Sequence, residues 1–180
     1  MQEQIIQTLQ ELRVYTLGKD CEMALFYHEE DSYLMRFANS AISLNTNEHL
    51  IRLDITAYSG RKRAGYSLIT NLEKMAEMKN GIDAAAAMVE HAQPLTYQPT
   101  IPSFTESFAD ESGCDPALAE MSSAEKLDYF NQATKGLETG DIKLSGIFSS
   151  GTNTIAQITT RSEHSQYFKT SEYNSSFPPK

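Results

Sequence analysis

The sequence predicts an α+β fold, with an antiparallel or mixed sheet and flanking helices, followed by a second, smaller helix-plus-strands unit. Three observations carry this. Leu50 to Tyr58 alternates strictly, with Ile51, Leu53, Ile55 and Ala57 facing one way and Arg52, Asp54, Thr56 and Tyr58 the other. A period of two is the mark of a half-buried antiparallel strand. Near the N-terminus, Ile5, Leu9 and Leu12 recur at helical spacing. The order helix-then-strands appears twice along the chain, without a residue-level repeat.

Taken in order, residues 2–17 form an amphipathic helix that ends where Gly18 follows Leu17. Cys21 to Tyr27 is apolar at nearly every position, as in a strand covered on both faces. His28-Glu29-Glu30-Asp31 reads as a polar turn. Tyr33, Met35 and Phe37 alternate with Leu34 and Arg36 as a second strand. Asn39-Ser40 kinks the chain, and Ala41 to Asn45 continues that strand or pairs with it. After the alternating strand, Ser59-Gly60 opens a turn and Ala64 to Ile69 returns as its partner. Thr70-Asn71-Leu72-Glu73 has the form of a capping box. It starts a helix running to about Gln93, which Asn80-Gly81 divides into two pieces and Pro94 stops.

The next stretch changes character. Pro94, Pro99, Pro102 and Pro116 punctuate it, and Ile101 to Glu125 holds 6 acidic residues with no Lys or Arg. It reads as a linker without regular structure. The division is therefore an N-terminal α+β domain at 1–98, an acidic linker at 99–121, and the start of a middle α+β domain at 122–180. Ser122 and Glu125 form a second capping box. Ala124, Leu127, Phe130, Ala133 and Leu137 are the apolar face of a helix ending near Gly136 or Gly140. Asp141–Ser149, Asn153–Thr160 and Tyr167–Tyr173 are strand-like, with Ser150 to Asn153 as a hairpin turn between the first two.

Composition narrows the functional classes. A hydrophobic share of 40% within 180 residues supports a packed core. No apolar run approaches the ~20 residues of a membrane helix, and the N-terminus lacks the basic and apolar regions of a signal peptide. A cytoplasmic protein with no membrane partner is expected. Cys21 and Cys114 fit no metal or redox spacing and are read as reduced thiols. The net charge is −9, whereas phosphate backbones are bound by basic surface. Arg61-Lys62-Arg63 is a solvated hairpin tip, and no nucleic-acid partner is expected.

No catalytic or metal site emerges from these residues. His28-Glu29 lacks a second histidine one helical turn away, so a zincin site is not formed. His49, His91 and His164 share no ligating spacing. Ser145 to Gly151 misplaces the glycines of a nucleophile elbow. The remaining candidates are Arg36, Asn39, Ser40 and Asn45, clustered around the kinked strand pair. They have the polarity to line a groove that binds extended peptide by strand addition. The competing reading is an ordinary polar turn, with asparagines present for turn geometry.

Arg36-Phe-Ala-Asn-Ser-Ala-Ile42, followed by Asn45, resembles an element of the TldD/PmbA metallopeptidase-like family. As in that family, an alternating strand, a short turn, a return strand with Gly65 and a Thr70-Asn71-Leu72 helix entry follow. Ser145–Phe177 is similar to the family's middle region, although Thr159 to Glu163 lacks the usual Asn and Gly of its turn. The resemblance implies the non-catalytic N-terminal portion of a zinc metallopeptidase, a hydrolase of proteolysis or peptide maturation. It implies unfolded or extended peptide as substrate, a homo- or heterodimer with a family member, and a peptide cleft and dimer interface shaped in part by this portion. Some family members are labelled modulators of DNA gyrase. The family's H-E-x-x-x-H zinc motif has no counterpart in this sequence, so no metal ligand is carried over. Zinc is expected in the family's C-terminal region, and this chain is expected to be inactive alone. The alternative is a stand-alone peptide- or partner-binding module without hydrolase activity.

Overall fold

The computed structural model describes residues 1–136 and 143–176. Its elements are α1 (Gln2–Thr16), β1 (Glu22–Ala38), β2 (Ala41–Ser59), β3 (Lys62–Ile69), α2 (Met75–His91), β4 (Phe108–Gly113), α3 (Pro116–Ala119), α4 (Ser123–Thr134), β5 (Gly146–Thr159) and β6 (Ser162–Ser176). The strands form one six-stranded mixed sheet in the order β3-β2-β1-β5-β6-β4. The fold is α+β, as the sequence predicts. Leu137, Gly140 and Asp141, expected at the end of the last helix and the start of the next strand, lie outside the described residues. So does Phe177.

Two of the expected turns are strand instead. His28 to Asp31 is not a turn, because β1 runs through it without interruption. Its alternation continues there: Glu29 is buried and accepts a 2.8 Å hydrogen bond from the Tyr27 hydroxyl. That bond removes the cost of a buried carboxylate with no partner. Ala41 to Asn45 pairs with β1 across the Asn39-Ser40 turn, one of the two expected arrangements, and lies in the first half of β2. Ser150 to Asn153 is not a turn either; it is the middle of β5. Gly151 is there because a Cβ would lie 2.5 Å from the Asp31 carbonyl oxygen. The hairpin between β5 and β6 turns instead at Thr160-Arg161.

The contacts group the chain into two units whose residues interleave in sequence. The first comprises Met1–Glu29, Leu50–Asp110 and Thr154–Phe168. Its core gathers Ile5, Leu9 and Leu12 of α1, Met23, Leu25 and Tyr27 of β1, Ile51, Leu53, Ile55 and Ala57 of β2, and Met78, Ile82, Ala85 and Val89 of α2. One face of the alternation from Leu50 to Tyr58 is therefore in the core, and β3 pairs with it antiparallel, Ile55 opposite Tyr66 and Ala57 opposite Ala64. Within the segment from Cys21 to Tyr27, Met23, Leu25 and Tyr27 are fully buried and the other four residues are half-buried.

The Thr70–Glu73 capping box does not form. The Asn71 side chain accepts from the Glu73 amide at 3.0 Å, and the Thr70 hydroxyl donates to the Asn71 carbonyl. This asparagine turn takes the place of the box, and α2 begins at Met75 without a side-chain cap. The helix is also unbroken at Asn80-Gly81. A Cβ on Gly81 would stand 3.1 Å from Ile55 Cδ1 and 3.2 Å from Leu68 Cδ2, so the glycine sets how closely α2 lies on the sheet.

The second unit comprises Glu30–His49, Glu111–Asn153 and Lys169–Lys180. Its core is small: Tyr33, Met35 and Phe148, with Leu127 and Phe130 of α4 packed on them. The Ser122–Glu125 capping box forms in full, as expected. The consecutive division at 98 and 122 differs from this grouping. Residues 99–121 hold α3 and also β4, which pairs at the sheet edge although its sequence is acidic. Packing against β6 decides that strand, and its own composition carries no sign of it.

Candidate functional site

Arg36, Asn39, Ser40 and Asn45 all fall in the distal hairpin of β1 and β2, within the second unit. Asn39 and Ser40 are its two-residue turn, with φ of 52° and 60°. Two successive left-handed residues make the turn type whose twist matches paired strands, and asparagine tolerates that conformation best. The Ser40 amide donates to the Leu144 carbonyl at 2.8 Å, and Ser40 Oγ accepts from the Leu144 amide at 3.0 Å. The Asn39 amide donates to Ser145 Oγ. These turn groups are engaged within the fold. Arg36 and Asn45 are exposed. The Arg36 carbonyl accepts from Ser43 Oγ at 3.2 Å, which places residue 36 beside residue 43 across the hairpin.

Beside the turn lies a groove lined by Phe37, Ser40, Ile42, Phe130, Thr134 and Leu144. Its floor is aromatic, with the Phe37 and Phe130 rings 4.7 Å apart. Further along the hairpin, Asp31 Oδ1 and His49 Nδ1 lie 2.6 Å apart. Lys126 Nζ sits 5.1 Å over the Tyr33 ring, a favourable cation–π placement. Burial lowers the Lys126 ammonium below the usual lysine value, and the Asp31 charge opposes that. Burial raises the Tyr33 phenol above the usual tyrosine value. Sequence reasoning missed Asp31, His49, Lys126 and Tyr33, because their meeting depends on strand register and on where α4 docks.

From Ala41 to His49, β2 is exposed at every residue but Thr46. The register of β3 on β2 ends with Ile69 opposite Arg52. Among the described residues, the outer backbone edge of this half of β2 has no neighbouring strand.

His28 and Glu29 are neighbours on a strand, so their side chains leave on opposite faces. Cys21 is half-buried, and its thiol is pushed up by burial and by Asp20, which disfavours a thiolate. Among the described residues no helix is long and apolar enough to cross a membrane.

No protein-family model and no curated protein matches this sequence. Solved structures do. TldE from Thermococcus kodakarensis superposes with a TM-score of 0.69 at 11% identity, over 93% of this chain and 37% of that one. A proposed modulator of a DNA gyrase from Thermotoga maritima gives 0.64 at 11% identity, over 92% of this chain and 37% of that one. A proposed modulator of DNA gyrase from Bacteroides thetaiotaomicron gives 0.58 at 13% identity, over 94% and 38%. The chain spans well under half the length of each. The matched region is the N-terminal part of proteins of the TldD/PmbA family, and this chain has the fold of that part.

Proposed function

We propose that this chain is a TldD/PmbA protein's N-terminal, non-catalytic portion, acting in proteolysis or peptide maturation around a zinc centre supplied by residues outside these 180. The observation that carries the reading is the fold likeness over 92% or more of this chain to the N-terminal part of three such proteins. The RFANSAI element adds to it. In this reading the chain works in the cytoplasm, helps to shape a cleft for extended peptide and contributes to a dimer interface. The cleft is the groove at the β1–β2 turn. Phe37 and Phe130 form its apolar floor, Ser40 lines it, and Arg36 and Asn45 are exposed beside it. Asn39 and Ser40 hold the turn in place and do not donate their amides to peptide.

The test is a titration of the purified chain with an unfolded, reduced polypeptide, followed by amide chemical shifts. Shifts should centre on Arg36 to Asn45. The double substitution Arg36→Ala and Asn45→Ala should weaken binding by about tenfold, two hydrogen bonds of ~0.5–1.5 kcal/mol each being lost. With added zinc the polypeptide should stay intact. Zinc-dependent cleavage by this chain alone, or binding that maps elsewhere, overturns the reading.

A further inference from the structure

We propose that the groove beside the β1–β2 turn holds a bulky apolar side chain of an extended peptide, one flanked by acidic residues. This rests on the cleft reading above and gives it a substrate class. The chain has a net charge of −9, yet the described segments that line the groove run the other way. Residues 32–47, 129–136 and 143–153 carry Arg36, Lys135 and Lys143 and no aspartate or glutamate. Lys135 lines the groove, Lys143 precedes the lining residue Leu144, and all three cations are exposed. Asp128 lies two positions before Phe130 on α4, a spacing that does not share a helix face. An acidic peptide is therefore attracted here although the molecule as a whole repels it.

The apolar anchor follows from the rings. The groove has a volume of about 550 Å³, within the ~300–1,000 Å³ of sites that bury a small ligand. Phe37 and Phe130, on its floor, also line a second cavity of about 40 Å³ with Phe148 and Tyr173. The rings continue inward, Phe130 to Phe148 at 6.3 Å and Phe148 to Tyr173 at 5.2 Å, both edge-on. Ring pairs at such spacings and tilts attract one another. A further ring entering from the groove extends a ladder that is already built.

Native interiors leave few voids larger than a water molecule, so the second cavity is slack in the packing around Phe130. That ring is half-buried, on a helix with no fully buried residue. It has room to yield when a side chain arrives. The hydroxyls of the groove are already engaged. Thr134 Oγ1 donates to the Phe130 carbonyl at 2.9 Å, and Ser40 Oγ accepts from the Leu144 amide at 3.0 Å. They offer little to a polar side chain, which leaves the rings and the cationic rim as the main means of recognition.

Short tryptophan-centred peptides test this, because the chain has no tryptophan and the emission reports the peptide alone. A glutamate-flanked peptide should bind, with its emission shifted to the blue. Lysine flanks should weaken binding about three- to tenfold. An alanine-centred, glutamate-flanked competitor should displace it at least about tenfold less well. Lys135→Glu with Lys143→Glu, both at exposed positions, should reverse the preference for flanking charge. Phe130→Ala should weaken the tryptophan peptide and keep that preference. If that variant does not fold, the competitor series on the parent chain decides. Indifference to the central residue or to the flanking charge overturns the proposal, as does a flank preference that survives the charge reversal. In those cases amide shifts that still centre on Arg36 to Asn45 leave the cleft reading standing. No binding by any peptide, or shifts that map elsewhere, overturns both.

Discussion

The two units hold their helices by different means. In the first, α1 and α2 have no side-chain cap, yet each buries a full stripe of residues in a core of 17 side chains. In the second, α4 has a complete capping box and no fully buried residue, over a core of 3. Most helix stability in proteins comes from tertiary packing, while caps add about 1 kcal/mol. The contrast therefore separates a packing-limited unit from a locally stabilised one, although β1, β2, β4, β5 and β6 each contribute residues to both.

The substitution with the largest expected effect breaks the packed side of this comparison. Leu53 is fully buried among α1, β1 and α2 residues. Leu53→Ala removes three side-chain carbons and leaves a cavity, a loss of about 2–5 kcal/mol. Thermal or denaturant unfolding measures it. A loss below about 1 kcal/mol would mean that this core is loosely packed and that the distinction between the units is false.

A smaller effect falls on the other side. Gly151→Ala drives a methyl to 2.5 Å from the Asp31 carbonyl oxygen, a backbone atom that cannot rotate away. Overpacking of this kind costs about 1–3 kcal/mol. Both residues belong to the second unit. Amide exchange should accelerate there first, while Met23, Leu25 and Tyr27 keep their protection. Uniform acceleration in both units would show that they open together.

The same contrast explains what could be read from the sequence. The strand Leu50 to Tyr58, the helix at 2–17 and the Ser122 capping box were legible, because each signal is local and agrees with its packing. The long strands were not. His28 to Asp31 and Ser150 to Asn153 carry turn-like residues, but the extended fold satisfies them: Glu29 by the Tyr27 hydroxyl of the same strand, Gly151 by the close approach of Asp31 on β1. Strand β4 was invisible for the same reason, since an acidic, glycine-ended segment is recruited by the edge of β6. Of the site, the polar turn at Asn39-Ser40 was legible from its residue types. The half of β2 that has no strand beside its outer edge among the described residues was not, because it depends on how far β3 extends.

The smallest effect sharpens the comparison through pH. In the first unit, Asp83 of α2 bridges to α1 and the segment just after it. The Lys19 ammonium lies 2.5 Å from its carboxylate, and the Tyr15 hydroxyl donates to it at 2.9 Å. The Lys19 hydrogen bond, aided by Tyr15, holds the Asp83 carboxyl below its ordinary value. A depressed carboxyl stabilises the fold above the unfolded-state pKa, about 3.9, and that stability is lost as pH falls through the lower folded value. The groups are largely solvated, so the bridge is worth no more than about 0.2–1 kcal/mol. Asp83→Asn should lower stability by that amount at neutral pH, with the gap to the parent closing below pH ~3.9. Glu125 of the second unit is depressed by Ser122 in the same direction, but within its own helical turn. The two acids therefore share a pH signature and differ in reach. Loss of Asp83 should loosen α1 on α2, visible as a change in tyrosine fluorescence in a chain without tryptophan. Glu125→Gln should fray only the first turn of α4. If Asp83→Asn leaves the docking of α1 unchanged at neutral pH, the buried stripe alone holds that helix, and the first unit is packing-limited even at its surface.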